Sequence, residues 1–200
     1  MDLSGATDEH LLERFLRGDA AAFTALARRH EDRVFSVALR MTGNRADALD
    51  ATQDTLFALF KRAASFRGES AFTTWLYRIA LNASRDVMRK RARAPVATDD
   101  EILEASAPPP GPDHSEAVVT RLDVMHALEG LTEEYRDAVV LHDLGGLPYE
   151  EVAKITAAPV GTVKSRISRG RKALARALEQ RAPTRASNLE MEDTDAGSYE

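Results

Sequence analysis

A row of basic and hydroxyl side chains near residue 165 has the types and spacing needed to bind DNA. A helix beginning near Pro159 would bury one face whose residues recur at steps of three and four: Val163, Ile167, Gly170, Leu174 and Leu178. The outer side of that helix would carry the groups able to hydrogen-bond base edges or phosphates: Gly161, Thr162, Lys164, Ser165, Arg166, Ser168, Arg169, Arg171 and Lys172.

The charge of this segment supports the same interpretation. Residues 160–181 contain seven Lys or Arg and one Glu, a net charge of +6, whereas the whole chain has a net charge of −5. Such contrast is typical of a nucleic-acid surface. An ordinary basic surface helix remains the alternative, because helix pairs joined by a turn are common.

A second group of side chains could bind a protein partner. Asp47, Asp50 and Asp54 follow each other at i, i+3 and i+7, with Gln53 at the edge of this acidic stripe. Like charges on one helix face are mildly destabilising, which indicates a partner. Favourable interaction with the helix dipole is the alternative; it explains Asp47 but not Asp54, because it fades after the first turn.

A third group combines an aromatic loop with a basic helix face. Phe66 and Arg67 lie in a short loop, and the predicted helix from Ala71 to Arg93 has polar groups along its outer side: Arg78, Asn82, Arg85 and Arg89. Cations beside aromatic rings suit single-stranded nucleic acid, whose bases stack while its phosphates attract positive charge. Trp75 falls on the apolar side and is expected in the core.

Helices must position all three groups, and the pattern predicts an all-α chain of two small helical domains joined by a flexible linker. Thr7, Asn44, Ser70 and Thr132 are predicted caps, and the third helix is expected to bury Leu49, Leu56, Phe60 and Ala63. The fourth helix of the second domain begins near Pro159, after one that begins at Pro148. The predicted division is a first domain at 1–93, a Pro-rich acidic linker at 94–115, a second domain at 116–181 and a disordered acidic tail at 182–200.

Composition argues against several other classes of protein. The chain has no Cys, and its five His lie at no paired metal-ligand spacing, so we expect no metal, no cofactor and no catalytic residue. It lacks a signal-peptide pattern and any run of 18 apolar residues, so we expect a cytoplasmic protein without membrane insertion.

Three segments of the sequence also resemble one protein family. ADALDATQDTLF, SFRGESAFTTWLYRIALNASRD and LPYEEVAKITAAPVGTVKSRISRGRKAL are similar, in order and spacing, to segments of the extracytoplasmic-function (ECF) group of the sigma-70 family. These bacterial initiation factors bind RNA polymerase and keep only the second and fourth conserved regions. The resemblance therefore implies a sigma region 2 bundle at 1–93 and a sigma region 4 helix-turn-helix at 116–181.

The resemblance implies a role for each of the three groups. Core polymerase, through its β′ clamp helices, would be bound by five residues of the acidic segment: Asp47, Asp50, Gln53, Asp54 and Phe57. The minus-10 promoter element would be recognised and opened by the loop and the helix after it: Phe66, Arg67, Arg78, Asn82, Arg85 and Arg89. The minus-35 element would be bound by the helix-turn-helix: Thr162, Lys164, Ser165, Arg166, Ser168, Arg169 and Lys172. The resemblance also implies promoter DNA, the polymerase β flap and an anti-sigma factor as partners.

The chain departs from the family pattern at a few positions. Leu49 stands where the family usually has Glu, Pro148 replaces a capping Ser, and Thr156-Ala157 replace a usual Leu-Gly, which predicts a turn of different shape.

Two other classes of function are alternatives. An autonomous helix-turn-helix regulator would not need the acidic stripe, and an enzyme would need a nucleophile, metal cluster or phosphate loop that the sequence does not contain.

Overall fold

The computed structural model describes residues 5–93 and 123–195, and within this part every regular element is a helix. This confirms the predicted all-α class. Residues 5–93 and 123–195 form eight α-helices: α1 (Asp8–Leu16), α2 (Ala20–Thr42), α3 (Arg45–Arg62), α4 (Phe72–Arg93), α5 (123–129), α6 (Glu133–Val139), α7 (Tyr149–Thr156) and α8 (Val160–Asp195). A 3₁₀ turn (Ala63–Ser65) follows α3, and a π-helical turn (Val140–Leu144) extends α6.

The predicted helix boundaries of the N-terminal group are largely confirmed. Thr7 accepts a hydrogen bond from the His10 amide at 3.2 Å, and Asn44 accepts one from the Asp47 amide at 2.8 Å. Each bond satisfies an amide that has no partner within its helix. Between these two helices, Gly43 ends α2 in the left-handed conformation (φ 79°), which glycine adopts without steric cost.

The predicted buried face of α3 is wrong at two large residues. Leu49 and Phe60 are 50% and 53% exposed, and the helix instead buries Leu59 and a row of small side chains: Ala48, Ala51, Thr52 and Thr55. The two threonine hydroxyls donate to carbonyls four residues back, at 2.7 and 2.6 Å, so they are satisfied without water. Small side chains allow α2, α3 and α4 to approach closely, and this packing turns the large apolar residues outward.

The C-terminal group is built on α6 and α8. Val163 and Ile167 are buried as predicted, and a β-carbon at Gly170 would lie 2.6 Å from a methyl group of Val139, so only glycine permits this approach of the two helices. Leu144, at the end of the π turn, is 45% exposed. Pro148 is the N-cap of α7 rather than its first residue.

The end of the chain differs from the sequence-based expectation. Disorder was predicted from residue 182, but α8 continues to Asp195. The Pro-rich linker predicted at 94–115 and the first residues of the second domain predicted at 116–181 lie outside the described residues. The predicted cap at Ser70 is also absent. Helix α4 begins at Phe72, and the Ser70 hydroxyl donates a hydrogen bond to the carbonyl of Ala71.

The N-terminal helices (α1–α4) and the C-terminal helices (α5–α8) share one of the hydrophobic clusters. Val37 and Met41 of α2 and Tyr77 and Leu81 of α4 pack with apolar residues from the C-terminal helices, including Leu128, Leu131, Val140, Leu141 and Leu147. A second cluster lies among the N-terminal helices and contains the pair Leu26 and Phe72. The two groups are therefore in direct contact in this structure.

The turn between α7 and α8 contains a strained alanine. Ala157 adopts the left-handed conformation (φ 50°), and the Ala158 amide donates to the Ala153 carbonyl at 3.1 Å. A residue with a β-carbon pays roughly 1–2 kcal/mol in this conformation, which glycine avoids. The turn between α7 and α8 therefore has the backbone conformation that is usual for glycine, and alanine adopts it at a cost in strain energy.

We expect Ala157→Gly to stabilise the protein by about 0.5–1 kcal/mol, because relief of the strain exceeds the entropy that glycine adds to the unfolded chain. For a chain of this length, that raises the melting temperature by roughly 1–4 °C in calorimetry. Ala175→Gly is the matched control: Ala175 is exposed within α8, and glycine there should lower stability by about 1 kcal/mol. If the two substitutions lowered the stability of the protein equally, the strain at Ala157 would be contradicted.

Candidate nucleic-acid and protein interfaces

The outer face of α8 presents the predicted polar side chains to solvent. Val163 and Ile167, at most 1% exposed, anchor the opposite side of the helix in the core. The side chains that project outward are Lys164, Ser165, Ser168, Arg169 and Lys172, all of them exposed. Thr162, at the first turn, is half-buried and accepts a hydrogen bond through its carbonyl from the Ser165 hydroxyl at 2.8 Å. The helix thus offers a continuous row of donors without rearrangement.

Two arginines of α8 are engaged by acids of its own helical group. Arg166 forms an ion pair with Glu134 of α6 at 2.7 Å and only 19% of its side chain is exposed. Arg171 donates from Nε to Asp143 at 2.9 Å, and this carboxylate raises the pKa of Arg171. Sequence reasoning missed both pairs because their acidic partners come from the segment around α6. These two arginines lie at the margins of the exposed row.

The acidic stripe of α3 contains two kinds of aspartate. Asp50 and Asp54 are exposed, as is Gln53 between them. Asp47 instead accepts hydrogen bonds from Asn44 Nδ2 at 2.6 Å and from Arg91 at 3.2 Å, and only 17% of its side chain is exposed. Asp47 therefore serves to begin α3 and to tie it to the end of α4, whereas the other two carboxylates face solvent.

Large apolar side chains lie beside these exposed carboxylates. Leu49 is 50% and Phe57 57% exposed, and the ammonium of Lys61 lies 4.2 Å from the centre of the Phe57 ring. Phe60 is also exposed, with its ring 5.3 Å from both Phe15 and Phe23. Contiguous exposed apolar groups mark protein-binding surfaces. The face of α3 is therefore both acidic and apolar. Phe57 was predicted to belong to this surface, whereas Leu49 and Phe60 were expected in the core.

The aromatic loop before α4 is packed more tightly than predicted. Phe66 is half-buried, and its ring centre lies 5.7 Å from that of Phe72 and 5.5 Å from that of Trp75. Phe66 is thus the outer member of an aromatic cluster that fixes the loop, and Trp75 is half-buried in the same cluster. Arg67 and Gly68 at the loop tip are exposed.

The C-terminal helices contact one residue on the basic side of α4 and leave the other predicted residues exposed. Arg78, Asn82 and Arg89 are exposed, and Arg89 pairs with Asp86 at 2.5 Å one turn back. Arg85 differs, because its Nε lies 2.7 Å from Glu133 of α6 and its guanidinium also bonds Asp137 of α6. Sequence reasoning grouped Arg85 with its neighbours on one face, which is correct, but it could not identify carboxylates 48 and 52 positions away as partners.

Asp137 is an unusual feature of α6, since its side chain is only 1% exposed. Burial raises the pKa of this carboxyl to about 6, although the nearby Arg85 opposes the shift. Arg136, beside it, is also buried and donates to carbonyls of the segment 128–131. The sequence pattern made no prediction for Arg136 or Asp137.

Within 5–93 and 123–195, no helix is both long and apolar enough to cross a membrane. In the same part of the chain, no three His, Asp or Glu side chains group so as to hold a metal ion.

Comparison with known proteins gives concordant results for both helical groups. The family model described as sigma-70 region 2 matches residues 26–94, and the model described as sigma-70 region 4 matches residues 121–174. The ECF RNA polymerase sigma-E factor of Escherichia coli (strain K12) is 37% identical over 177 residues, which cover 84% of this chain and 92% of the relative. The RNA polymerase sigma-H factor of Pseudomonas aeruginosa is 33% identical over 186 residues, covering 88% and 96%.

Solved structures show the same similarity. CnrH in complex with the cytosolic domain of CnrY has a TM-score of 0.66 at 25% identity, covering 86% of this chain and 97% of that one. The sigma factor RpoE in complex with the anti-sigma factor NepR from Bartonella quintana has a TM-score of 0.61 at 31% identity, covering 74% and 91%.

Proposed function

Because the chain belongs to the ECF group of sigma-70 family RNA polymerase sigma factors, we propose that its three surfaces perform three separate steps of transcription initiation. Residues 1–93 act as region 2, residues 116–181 act as region 4 and 94–115 link them. In this division α3 binds core polymerase, α4 with the loop before it binds the minus-10 element, and α8 binds the minus-35 element. The protein works in the cytoplasm as a binding factor, without catalytic residue, metal or cofactor of its own.

The exposed row on α8 is the observation that carries the proposal. Arg169, Ser165 and Ser168 project away from a helix whose other side is anchored in the core. They can therefore enter a major groove while the contacts of the helix with the core stay intact. Lys172 lies one turn farther on and is suited to phosphate. Arg166 and Arg171 are held by Glu134 and Asp143, and we assign them an orienting role at the edge of the DNA surface.

The mixed face of α3 supports the assignment of core polymerase. Asp50, Gln53 and Asp54 offer charge and hydrogen bonds to the β′ clamp helices, and Phe57 and Leu49 offer apolar area. Asp47 contributes indirectly, because its carboxylate accepts a hydrogen bond from Nδ2 of Asn44, the residue that caps α3. The polymerase β flap is the corresponding partner for the C-terminal helices. An anti-sigma factor is a further partner, as in the similar RpoE structure, which was solved with the anti-sigma factor NepR.

Run-off transcription with purified core polymerase on genomic DNA tests the function directly. We expect transcripts that begin at a common set of promoters and that require both polymerase and this protein. An autonomous helix-turn-helix regulator is the competing hypothesis, and it would bind its promoters specifically without polymerase. Specific binding by the protein alone, together with no transcription, would replace the sigma-factor proposal.

The assignment of α4 makes a separate prediction. Arg78→Ala combined with Arg89→Ala should weaken binding of polymerase holoenzyme to single-stranded minus-10 DNA, because both exposed guanidiniums attract phosphates. For two lost contacts, the slope of log K against log salt should fall in magnitude by about 1.4. Affinity measured by fluorescence anisotropy at several salt concentrations gives this slope. Arg28→Ala, an exposed arginine on α2, is the control, and an equal change there would contradict the assignment.

A further inference from the structure

A buried hydrogen bond ties the start of α1 to α2 behind the aromatic loop at 66–71. The imidazole of His30 is 1% exposed, and its Nε2 lies 2.8 Å from Oδ2 of Asp8. A carboxylate oxygen can only accept a hydrogen bond, so Nε2 carries the proton of this contact. The other carboxylate oxygen of Asp8 accepts from Nη1 of Arg29, also at 2.8 Å. Asp8 therefore joins α1 to two consecutive residues of α2.

Asp8 provides the polar contact that orients the His30 ring. The other ring nitrogen, Nδ1, is buried and has no hydrogen-bond partner among the described residues. The hydrogen bonds of its two nitrogens set the tautomer and the orientation of a histidine ring. Without Asp8, the Nε2–H group of His30 would be a buried donor that has lost its acceptor. We therefore expect the position of this ring to depend on the carboxylate of Asp8.

The His30 ring is the first of a series of aromatic rings that reaches the loop. Its centre lies 5.3 Å from the ring centre of Phe72, which in turn lies 5.7 Å from that of Phe66. Trp75 contacts both phenylalanines, at 5.9 and 5.5 Å. Aromatic rings attract each other at these separations, and a close-packed interior transmits the displacement of one side chain to the next. A shift of the His30 ring is therefore expected to displace Phe66 through Phe72.

The position of the loop tip depends on the same rings. Arg67, Gly68 and Glu69 at the tip are exposed, whereas Phe66 at their base is half-buried against Phe72 and Trp75. An exposed segment with few buried apolar contacts is held in place by the residues that anchor it. The ring of Phe66 is such an anchor, so a change in its packing would also change the position of the tip.

We propose that the hydrogen bond between Asp8 and His30 is a positioning device for the minus-10 surface. It fixes the ring of His30 and, through Phe72 and Phe66, the position of Arg67 at the loop tip. His30 itself is too deeply buried to contact DNA. A loop that is already ordered loses less conformational entropy on binding than a mobile loop does. The control of the aromatic rings is a property of the free chain, and its effect on DNA rests on the proposed function.

Fluorescence of Trp75, the one tryptophan of the chain, reports on these rings without polymerase or DNA. Asp8→Ala should shift its emission to longer wavelength and increase its quenching by acrylamide roughly twofold, because a loosened cluster admits solvent. Glu9→Ala is the matched control, since it removes the same charge from the first turn of α1 at an exposed position. Emission and quenching should stay unchanged in that control. Unchanged quenching in Asp8→Ala would overturn the proposal.

Two further variants separate positioning from a general loss of stability. Asp8→Glu keeps a carboxylate that can accept from His30, and it should restore most of the wild-type quenching. Arg29→Gln removes the other partner of Asp8 and leaves the bond to His30. It should therefore lower the melting temperature without changing the fluorescence of Trp75. Equal increases in quenching from Arg29→Gln and Asp8→Ala would mean that Asp8 only stabilises the fold, and the positioning role would be wrong.

DNA binding by polymerase holoenzyme tests the consequence for function. Asp8→Ala should weaken binding to single-stranded minus-10 DNA by roughly three- to tenfold, the cost of ordering one or two loop side chains. Affinity for duplex minus-35 DNA should stay unchanged. If minus-10 affinity is also unchanged although Trp75 is more accessible, the positioning role is wrong and the sigma-factor function stands. If the wild-type holoenzyme binds no promoter DNA, the proposed function fails together with the DNA role of Asp8, and fluorescence still decides whether Asp8 fixes the rings.

Discussion

Reversing two charges on α3, with Asp50→Lys and Asp54→Lys, is expected to weaken binding to core polymerase on the order of 100-fold while the fold is preserved. Both carboxylates are exposed, so their replacement removes no buried contact. The only ion pair of either residue within the described part of the chain is between Asp54 and Lys90 at 4.0 Å. Exposed pairs of this kind contribute little to stability.

The expected loss comes from the partner. A basic surface that attracts two carboxylates repels two ammonium groups, and each like-charge contact at an interface costs well over 1 kcal/mol. Since about 1.4 kcal/mol corresponds to tenfold in affinity, two such contacts give the expected magnitude. Asp47 is left unchanged in this design, because its carboxylate accepts hydrogen bonds from the capping residue Asn44 and from Arg91, and its loss would mix a folding defect with a binding defect.

A matched control separates local complementarity from overall charge. Glu31→Lys with Asp32→Lys makes the same change in net charge on α2, at two exposed positions. Affinity for core polymerase, measured by competition with a labelled sigma factor, should fall only slightly for this variant. The assignment of α3 is wrong if the two double variants bind equally well. Melting curves of both variants should match that of the wild type.

The outer face of α8 could be predicted from sequence because its buried face follows the helical repeat closely. Val163, Ile167 and Gly170 identify that face without reference to any other helix. The face of α3 could not be predicted in this way. It packs through alanines and through threonines whose hydroxyls bond their own helix, so hydropathy placed the larger Leu49 and Phe60 inside although the packing requires small residues there.

Contacts between helices that are distant in the chain could not be predicted from the sequence either. Arg85 and Arg166 both have the spacing of DNA-facing residues, yet α6 supplies a carboxylate to each of them. Their spacing reveals the face on which an arginine lies but not which acid packs against it. One local prediction was also wrong: replacement of the usual glycine by Ala157 predicted a turn of different shape, but Ala157 adopts the left-handed conformation that is usual for glycine at this position.

Arg169→Ala is expected to relax base preference at one or two positions of the minus-35 element, whereas Lys172→Ala should weaken binding to all minus-35 sequences by a similar factor. Arg169 is exposed in the N-terminal half of α8, where a recognition helix contacts base edges. Its guanidinium can donate two hydrogen bonds to a guanine, worth on the order of 1–3 kcal/mol of discrimination, or roughly 5- to 150-fold. Lys172 offers a single flexible ammonium, which suits a phosphate and carries no sequence information.

A promoter library transcribed by core polymerase with each variant distinguishes these two effects, because it reports preference at every position together with total output. Arg176→Ala is a suitable control, since Arg176 is exposed one turn beyond Lys172. This variant should lower the total output no more than Lys172→Ala does, with base preference unchanged. Unchanged preference in the Arg169 variant would mean that α8 lies in the groove in another register, or that the element is recognised through its shape. A loss of preference in the Lys172 variant would instead move the base-reading end of α8 one turn toward its C-terminus. In both cases Val163 and Ile167, buried on the opposite side, require that the reading residues come from the same exposed row.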